Sequence, residues 1–406
     1  LRHKGKHKNG GQKGHPGHTL QRVEKPDHTF IYALKGFCEC GRDLDNGTFL
    51  NPPKLEFTEH CAEIRKCQCG RIHAAAFPQG IESPVQYGQR VRAYMVYFNV
   101  FQLLPQSRCI EIMQNLFGIH LNEGTLNNTL QIAYRNLEKT ENAIKESLHQ
   151  SPVLNLDETG MYVNGKRIWE HSASNASFTY YFCHEKRGGD AIKAGGLLLR
   201  YFGRIVHDFW RSYFDFDCLH ALCNAHHLLE LVFIKEQYKQ NWAADMILLL
   251  CRIKKTVDAA KIKNRDGLTP GTLRKYEESF ARLIACGYKE NPVKKPKYTK
   301  TVKRGRKAQH PARNLLDRFD NHKNEVLAFM YDFDVPFDNN LAERDLRMTK
   351  VKQKISGCFR SIAGAQTFCR IRGFVSTVRK QGQNPLDYLI KCFKSDGNDI
   401  LLPDTT

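Results

Sequence analysis

The 406 residues are enough for two or three domains with a sizeable core, and Lys and Arg outnumber Asp and Glu by 62 to 42, a net charge of +20. An excess of that size selects a polyanionic partner. No basic amphipathic helix adjoins a hydrophobic anchor and no apolar run approaches bilayer length, so nucleic acid is expected rather than a membrane. The 14 cysteines, in a long chain with no signal peptide in view, fit reduced thiols and metal ligands better than a disulfide framework.

Residues 1–25 (with HKGKHKNGGQKGHPGHTL) hold almost nothing to bury and are expected to form a basic disordered arm. A start at Leu1 rather than Met suggests a fragment with upstream residues missing. Residues 26–80 are read as a zinc-binding module. Cys38-Glu39-Cys40-Gly41 and Cys67-Gln68-Cys69-Gly70 supply four thiolates in two short pairs, as a closed tetrahedral Zn2+ site requires, and each following glycine lets the backbone turn around the metal. Metal binding would supply the folding energy of so small a unit. Cys61 is a spare ligand.

Residues 81–150 have helical spacing. Val91, Tyr94, Met95, Phe98 and Phe101 mark a helix over Arg90–Leu104, and further helices are expected over Ser107–Phe117 and Thr125–Leu148. Two helices around the Gly118–Gly124 turn fit a DNA-reading helix-turn-helix, and equally a plain supporting bundle.

At residue 151 the period becomes strand-like. Strands are predicted over 152–159, Lys166–Ser172 and Phe178–His184, then a helix over Ala191–Tyr201, then a fourth strand ending on Asp208. Three strands, a helix and another strand is the order of a ribonuclease-H-like α/β domain, assigned here to residues 151–380, with a helical insertion at about 236–334. Asp338 is positioned to cap a helix over Asn340–Lys354 that carries Glu343, and residues 381–406 form a C-terminal segment.

Asp157 falls on the face of its strand opposite Leu154 and Leu156, and Asp208 ends a strand that such a sheet sets beside the first. Convergent carboxylates from Asp157, Asp208 and Glu343 would be costly together without divalent cations, and hard oxygen ligands select Mg2+ or Mn2+. Two such ions suit phosphoryl transfer. Composition alone does not single these acids out, since Glu158, Asp190, Asp215, Asp217 and Asp345 are also available.

Several stretches together decide the matter: GQKGHPGHTL, the paired cysteines, LNLDETGMYVNGK, GRIVHDFWRSYF, LHALCNAHHLLEL and FDNNLAERDLRMTKVKQKISGCFRSIAGAQTFCRIRGFVSTVRKQGQNPLDYL. In order over nearly the whole chain, they resemble the transposases of the insertion sequence 66 family, a branch of the DDE transposases. The resemblance implies Asp157, Asp208 and Glu343 as the three acids and a helical insertion between the second and third. It also implies activity as a metal-dependent DNA transposase on double-stranded DNA, in a homodimer or larger synaptic complex, with possible accessory proteins and no membrane. The location implied is the bacterial cytoplasm, at the nucleoid. The first cysteine pair is C-x-C where the family commonly has a wider spacing, so the ligand choice there is less fixed.

Cys223 and His226 resemble the C-x-x-H element of many DDE transposases, in which His226 would contact the scissile phosphate or assist proton transfer; a buried structural histidine is the plain alternative. Ligand types also permit a zinc site from Cys218, His220, Cys223 and His226. The basic loop with Arg304, Arg306 and Lys307, and the stretch with Arg344, Arg347, Lys350, Lys352 and Lys354, are candidate phosphate contacts, against ordinary solvated charge. Trp169 and Trp210 are candidates to stack on an unpaired base or, more simply, to pack in the core. The rival readings are a zinc-containing DNA-binding protein without catalysis, derived from a transposase, and a nuclease that cuts without joining.

Overall fold

The computed structural model describes residues 55–77, 81, 86–293 and 309–394. The basic arm, Cys38, Cys40 and the loop residues Arg304, Arg306 and Lys307 lie outside the described residues.

A short hairpin comes first, β1 (Ile64–Lys66) antiparallel to β2 (Ile72–Ala74). Next come α1 (Gln89–Val96), α2 (Gln106–Phe117), α3 (Glu123–Asn136) and α4 (Glu138–His149). The helix expected over 90–104 is interrupted: α1 runs into a π turn at Tyr97–Phe101, where Asn99 donates to the Leu104 carbonyl and ends the run. The helix expected over 125–148 is two helices meeting at the fully buried Leu137. Gly118, at φ 65°, closes α2, and Asn122 caps α3 by accepting the Thr125 amide at 2.8 Å. The buried face of α3 (Leu126, Leu130, Ala133) turns inward, and Gln131 and Asn136 bond Thr367 and the Cys392 carbonyl.

The sheet has the order β5-β4-β3-β6-β7. Strands β3 (Val153–Val163), β4 (Lys166–Ser174) and β5 (Thr179–His184) form an antiparallel meander. The first strand runs four residues beyond its expected end because Asn164-Gly165, both at positive φ, make the two-residue turn that continues a hairpin without splaying it. After α5 (Gly189–Gly195), cut shorter than expected by Gly196 at φ 75°, β6 (Arg204–His207) returns parallel to β3, and β7 (Leu219–Leu222) lies parallel to β6.

Helices α6 (Asn224–Tyr238), α7 (Asn241–Ile262), α8 (Pro270–Glu290), α9 (Pro311–Asn321), α10 (Lys323–Val326) and α11 (Ala328–Tyr331) pack around Trp242, Phe280, Leu316 and Phe319. This second core joins the sheet through Val206, Ala221 and Leu222. The chain then returns: α12 (Asn340–Ser356) lies against β3 and β4, α13 (Ile362–Lys380) against β5, and α14 (Pro385–Lys394) against α1. Leu154 and Leu156 are buried in the core that the sheet shares with the helices of residues 89–149. Burying apolar side chains of this size is the main favourable term, at about 1.5–3 kcal/mol for each full side chain.

Candidate active site

Alternation along β3 separates two neighbouring acids. Asn155 and Asp157 point toward α12, while Glu158 points to the other face. Glu158 is buried and its carboxylate is fully engaged: Arg187 donates to it at 2.7 and 2.6 Å and the Tyr213 hydroxyl at 2.6 Å. Arg187 also lies 3.7 Å from the Trp210 ring centre and 4.9 Å from that of Trp169. Both tryptophans thus pack on a guanidinium beside the strands.

Asp157 and Asp208 come together through the parallel register. Asn155 pairs with Val206, and each aspartate stands two residues further on, Asp157 within β3 and Asp208 just past the end of β6. The Asp157 carboxylate accepts the Glu158 amide at 2.8 Å, and Asp208 accepts the Trp210 amide at 3.2 Å. Glu343 arrives from the first turn of α12 and is half-buried. Burial pushes the Asp157 carboxyl up to about 7, helped by the negative charges of Glu158, Asp208 and Glu343 and opposed by the Glu158 amide. The helix α12 that carries Glu343 packs on β3, which carries Asp157.

Asn339 fixes α12 to the strand. Its side chain donates to the Leu156 carbonyl at 2.7 Å and accepts from Asn155 at 2.9 Å, and its carbonyl accepts the Glu343 amide at 3.3 Å. Its own amide donates to Cys223 Sγ at 3.2 Å. Asn339 was missed in the sequence, where it reads only as one polar residue before a helix. The Asp338 cap is present in a different form, accepting the Asn340 amide at 3.1 Å.

Cys223 lies between β7 and α6, at the N-cap position of the helix. Its amide donates to the His207 carbonyl at 2.9 Å, next to Asp208. His226 Nδ1 lies 3.3 Å from Cys223 Sγ and 3.7 Å from Glu343 Oε1. The hydrogen bond to Cys223, with the negative charges of Glu343 and Asp208, raises the His226 imidazole to about 9, against its partial burial. His226 is half-buried and sits at the acids, rather than buried as a purely structural histidine.

The four-residue zinc set of Cys218, His220, Cys223 and His226 is not assembled. His220 Nδ1 lies 3.2 Å from His207 Nε2 and its ring stacks on Phe214, while Cys218 packs against the core that the sheet shares with the helices of residues 89–149. Among the described residues the group with metal-ligand spacing is Cys223, His226 and Glu343.

In the hairpin, Cys67 and Cys69 sit on a tight turn closed by the Gly70 amide on the Cys67 carbonyl, with Gly70 at φ 88°. Hydrogen bonds from Cys69 hold the Cys67 thiol below its ordinary range. Along α12 the basic residues differ. Arg344, Arg347 and Lys354 are exposed, Lys350 donates to the Gly160 carbonyl, and Lys352 lies half-buried over the Phe368 ring at 5.6 Å.

Carboxylates brought together by two parallel strands and a later helix, on a strongly basic chain, define an acidic site suited to hard cations in a protein suited to a polyanion. The family model described as Transposase IS66 family matches residues 84–367, and the chain belongs to that family. None of the curated proteins compared with the chain matches it. Among the described residues no helix is long and apolar enough to cross a membrane.

Proposed function

We propose that the chain is a DDE transposase that cleaves DNA at transposon ends and transfers the resulting 3′-hydroxyl into target DNA. The observation that carries this reading is the parallel register that sets Asp157 of β3 near Asp208 after β6, with α12 bearing Glu343 packed on β3, within a member of a transposase family. The antiparallel meander followed by a parallel strand beside β3 supports a ribonuclease-H-like core, with α6–α11 as the insertion between second and third acids.

The donor set fits Mg2+ or Mn2+: oxygen ligands only from the three acids, one of them disfavoured as an anion by burial and by its acidic neighbours. Asp157, Asp208 and Glu343 would hold the ions. Divalent cations bound there supply Lewis-acid stabilisation of the attacking and leaving oxygens. The chain's own groups do the rest. Asn339 keeps Glu343 in register with Asp157, and His226 places an imidazole beside Glu343. Arg344, Arg347 and Lys354, with Arg304, Arg306 and Lys307, are proposed to neutralise phosphates; Lys350 and Lys352 have partners within the protein and serve less.

Cys67 and Cys69, with Cys38 and Cys40, are proposed as the zinc ligands of an N-terminal module. A homodimer or larger synaptic complex at the bacterial nucleoid completes the reading, since two ends must be processed together. The experiment is cleavage of labelled end DNA in Mg2+: nicks with 3′-hydroxyl ends in wild type and none in Asp157→Asn, with DNA binding retained, support it. Binding without nicking in the wild type would favour the non-catalytic alternative.

A further inference from the structure

Cys223 is buried at the start of α6, His226 stands one turn along the same helix, and Glu343 faces them from α12. One atom from each (a thiol sulfur, an imidazole nitrogen and a carboxylate oxygen) lies within 4.8 Å of the other two. Bond lengths to tetrahedral Zn2+ set ligand-to-ligand edges of about 3.6 Å for sulfur to nitrogen and about 3.4 Å for nitrogen to oxygen. The distances here are 3.3 Å from His226 Nδ1 to Cys223 Sγ and 3.7 Å from His226 Nδ1 to Glu343 Oε1. These two edges are within a few tenths of an ångström of the requirement, and the third, sulfur to carboxylate, is no longer than 4.8 Å. The Asn339 amide, aimed at the sulfur from 3.2 Å, is the outer-shell donor that metal thiolates commonly receive.

We propose that Cys223, His226 and Glu343 form a second metal site, selective for a thiophilic divalent cation such as Zn2+, that withdraws Glu343 from the all-oxygen site. A sulfur and an imidazole favour Zn2+ over Mg2+, and three protein ligands leave a fourth position open. Binding deprotonates the Cys223 thiol and displaces the proton from His226, both protons passing to solvent. Because Glu343 serves both sites, a soft cation inhibits the reaction supported by Mg2+. This inference rests on the proposed role of Glu343 for its inhibitory consequence; the site itself does not.

The test has two readouts on the full chain. Titration with Co2+ reports thiolate ligation through near-ultraviolet charge-transfer absorption, comparing wild type with Cys223→Ser and His226→Ala. Residue 226 is half-exposed, so the second variant guards against misfolding of the first. Each variant is expected to lose one Co2+ equivalent and the matching absorption, while Co2+ on the other cysteines is common to all three. Equal stoichiometry and equal spectra in wild type and both variants would overturn the site. In parallel, Zn2+ inhibition of end-DNA cleavage in Mg2+ is measured as a ratio to each protein's own zinc-free rate. The half-inhibitory Zn2+ concentration should rise about tenfold or more in Cys223→Ser, as the loss of one good ligand implies. Cleavage with unchanged Zn2+ sensitivity overturns the inhibitory role alone. Loss of Co2+ in the variants without any cleavage by wild type supports the site and counts instead against the transposase reading.

Discussion

The Asn339 side chain donates to the Leu156 carbonyl at 2.7 Å, and this bond joins the helix that presents Glu343 to the strand that presents Asp157. Leu156 and Asp157 are adjacent, and Glu343 lies one helical turn beyond Asn339, so one amide sets the spacing between two acids far apart in sequence. Asn339 is 1% exposed, and its partner Asn155 is 5% exposed, so neither can exchange these bonds for water without local opening.

Replacing Asn339 with Ala should therefore leave the Leu156 carbonyl and the Asn155 amide unpaired in the interior. The expected cost is about 2–4 kcal/mol, one to three for each orphaned group less some relaxation. Urea denaturation reads this as a lower midpoint with an unchanged slope. An unchanged midpoint would show that water or another side chain takes over the bonds.

Arg187 and Glu158 form a second test, on the face of β3 opposite Asp157. The Glu158 side chain is 1% exposed and depends on Arg187 and Tyr213 for its charge. Arg187→Ala should cost about 3–5 kcal/mol by stranding a buried carboxylate. Adding Glu158→Gln to that variant should recover part of the loss, because the stranded charge is gone. A double-mutant cycle with strictly additive effects would remove the pair from the account.

Stability should also depend on pH through Glu170, which is fully buried between β4 and α13 with one carboxylate oxygen unpartnered. Burial raises its carboxyl from 4.5 to about 7, despite the hydrogen bond from Cys369 and the charge of Arg372. A raised value means the folded chain holds the proton more tightly. The stabilising contribution is full below about 4.5 and is lost as pH rises through about 7, an effect of order 3 kcal/mol. Glu170→Gln should flatten that part of the stability profile. Parallel profiles for wild type and variant would contradict it.

Among the basic residues of α12, exposed Arg344 and Arg347 should matter for DNA more than Lys350, whose ammonium group bonds the Gly160 carbonyl. Each Arg→Ala change should reduce the slope of log K against log salt by about one. Lys350→Ala should change the slope less and stability more. A larger slope change for Lys350 than for either arginine would reverse the assignment.

Much of this arrangement was legible in the sequence because it rests on local rules. Period-two runs marked β3 to β5, and a strand ending at an acid marked β6. β3 continues four residues past its expected end, because the Asn164-Gly165 turn prolongs the hairpin. The four-residue β7 was not foreseen: its LHAL has no alternation to distinguish it, and its pairing with β6 is a tertiary fact. Family resemblance named Asp157, Asp208 and Glu343, but Asn339 and the grouping of Cys223 with Glu343 depend on contacts across more than a hundred residues. The zinc quartet suggested by ligand types failed for the converse reason, because His220 faces His207 from a neighbouring strand.

The central claim is that Glu343 completes a strand-transfer site, and the most direct measurement is a joining assay. Labelled transposon-end DNA and an unlabelled target are incubated in Mg2+ with wild type or with Glu343→Gln. The account predicts joined products from wild type, none from the variant, and similar DNA binding by both. Joined products at equal rates from both proteins would contradict it.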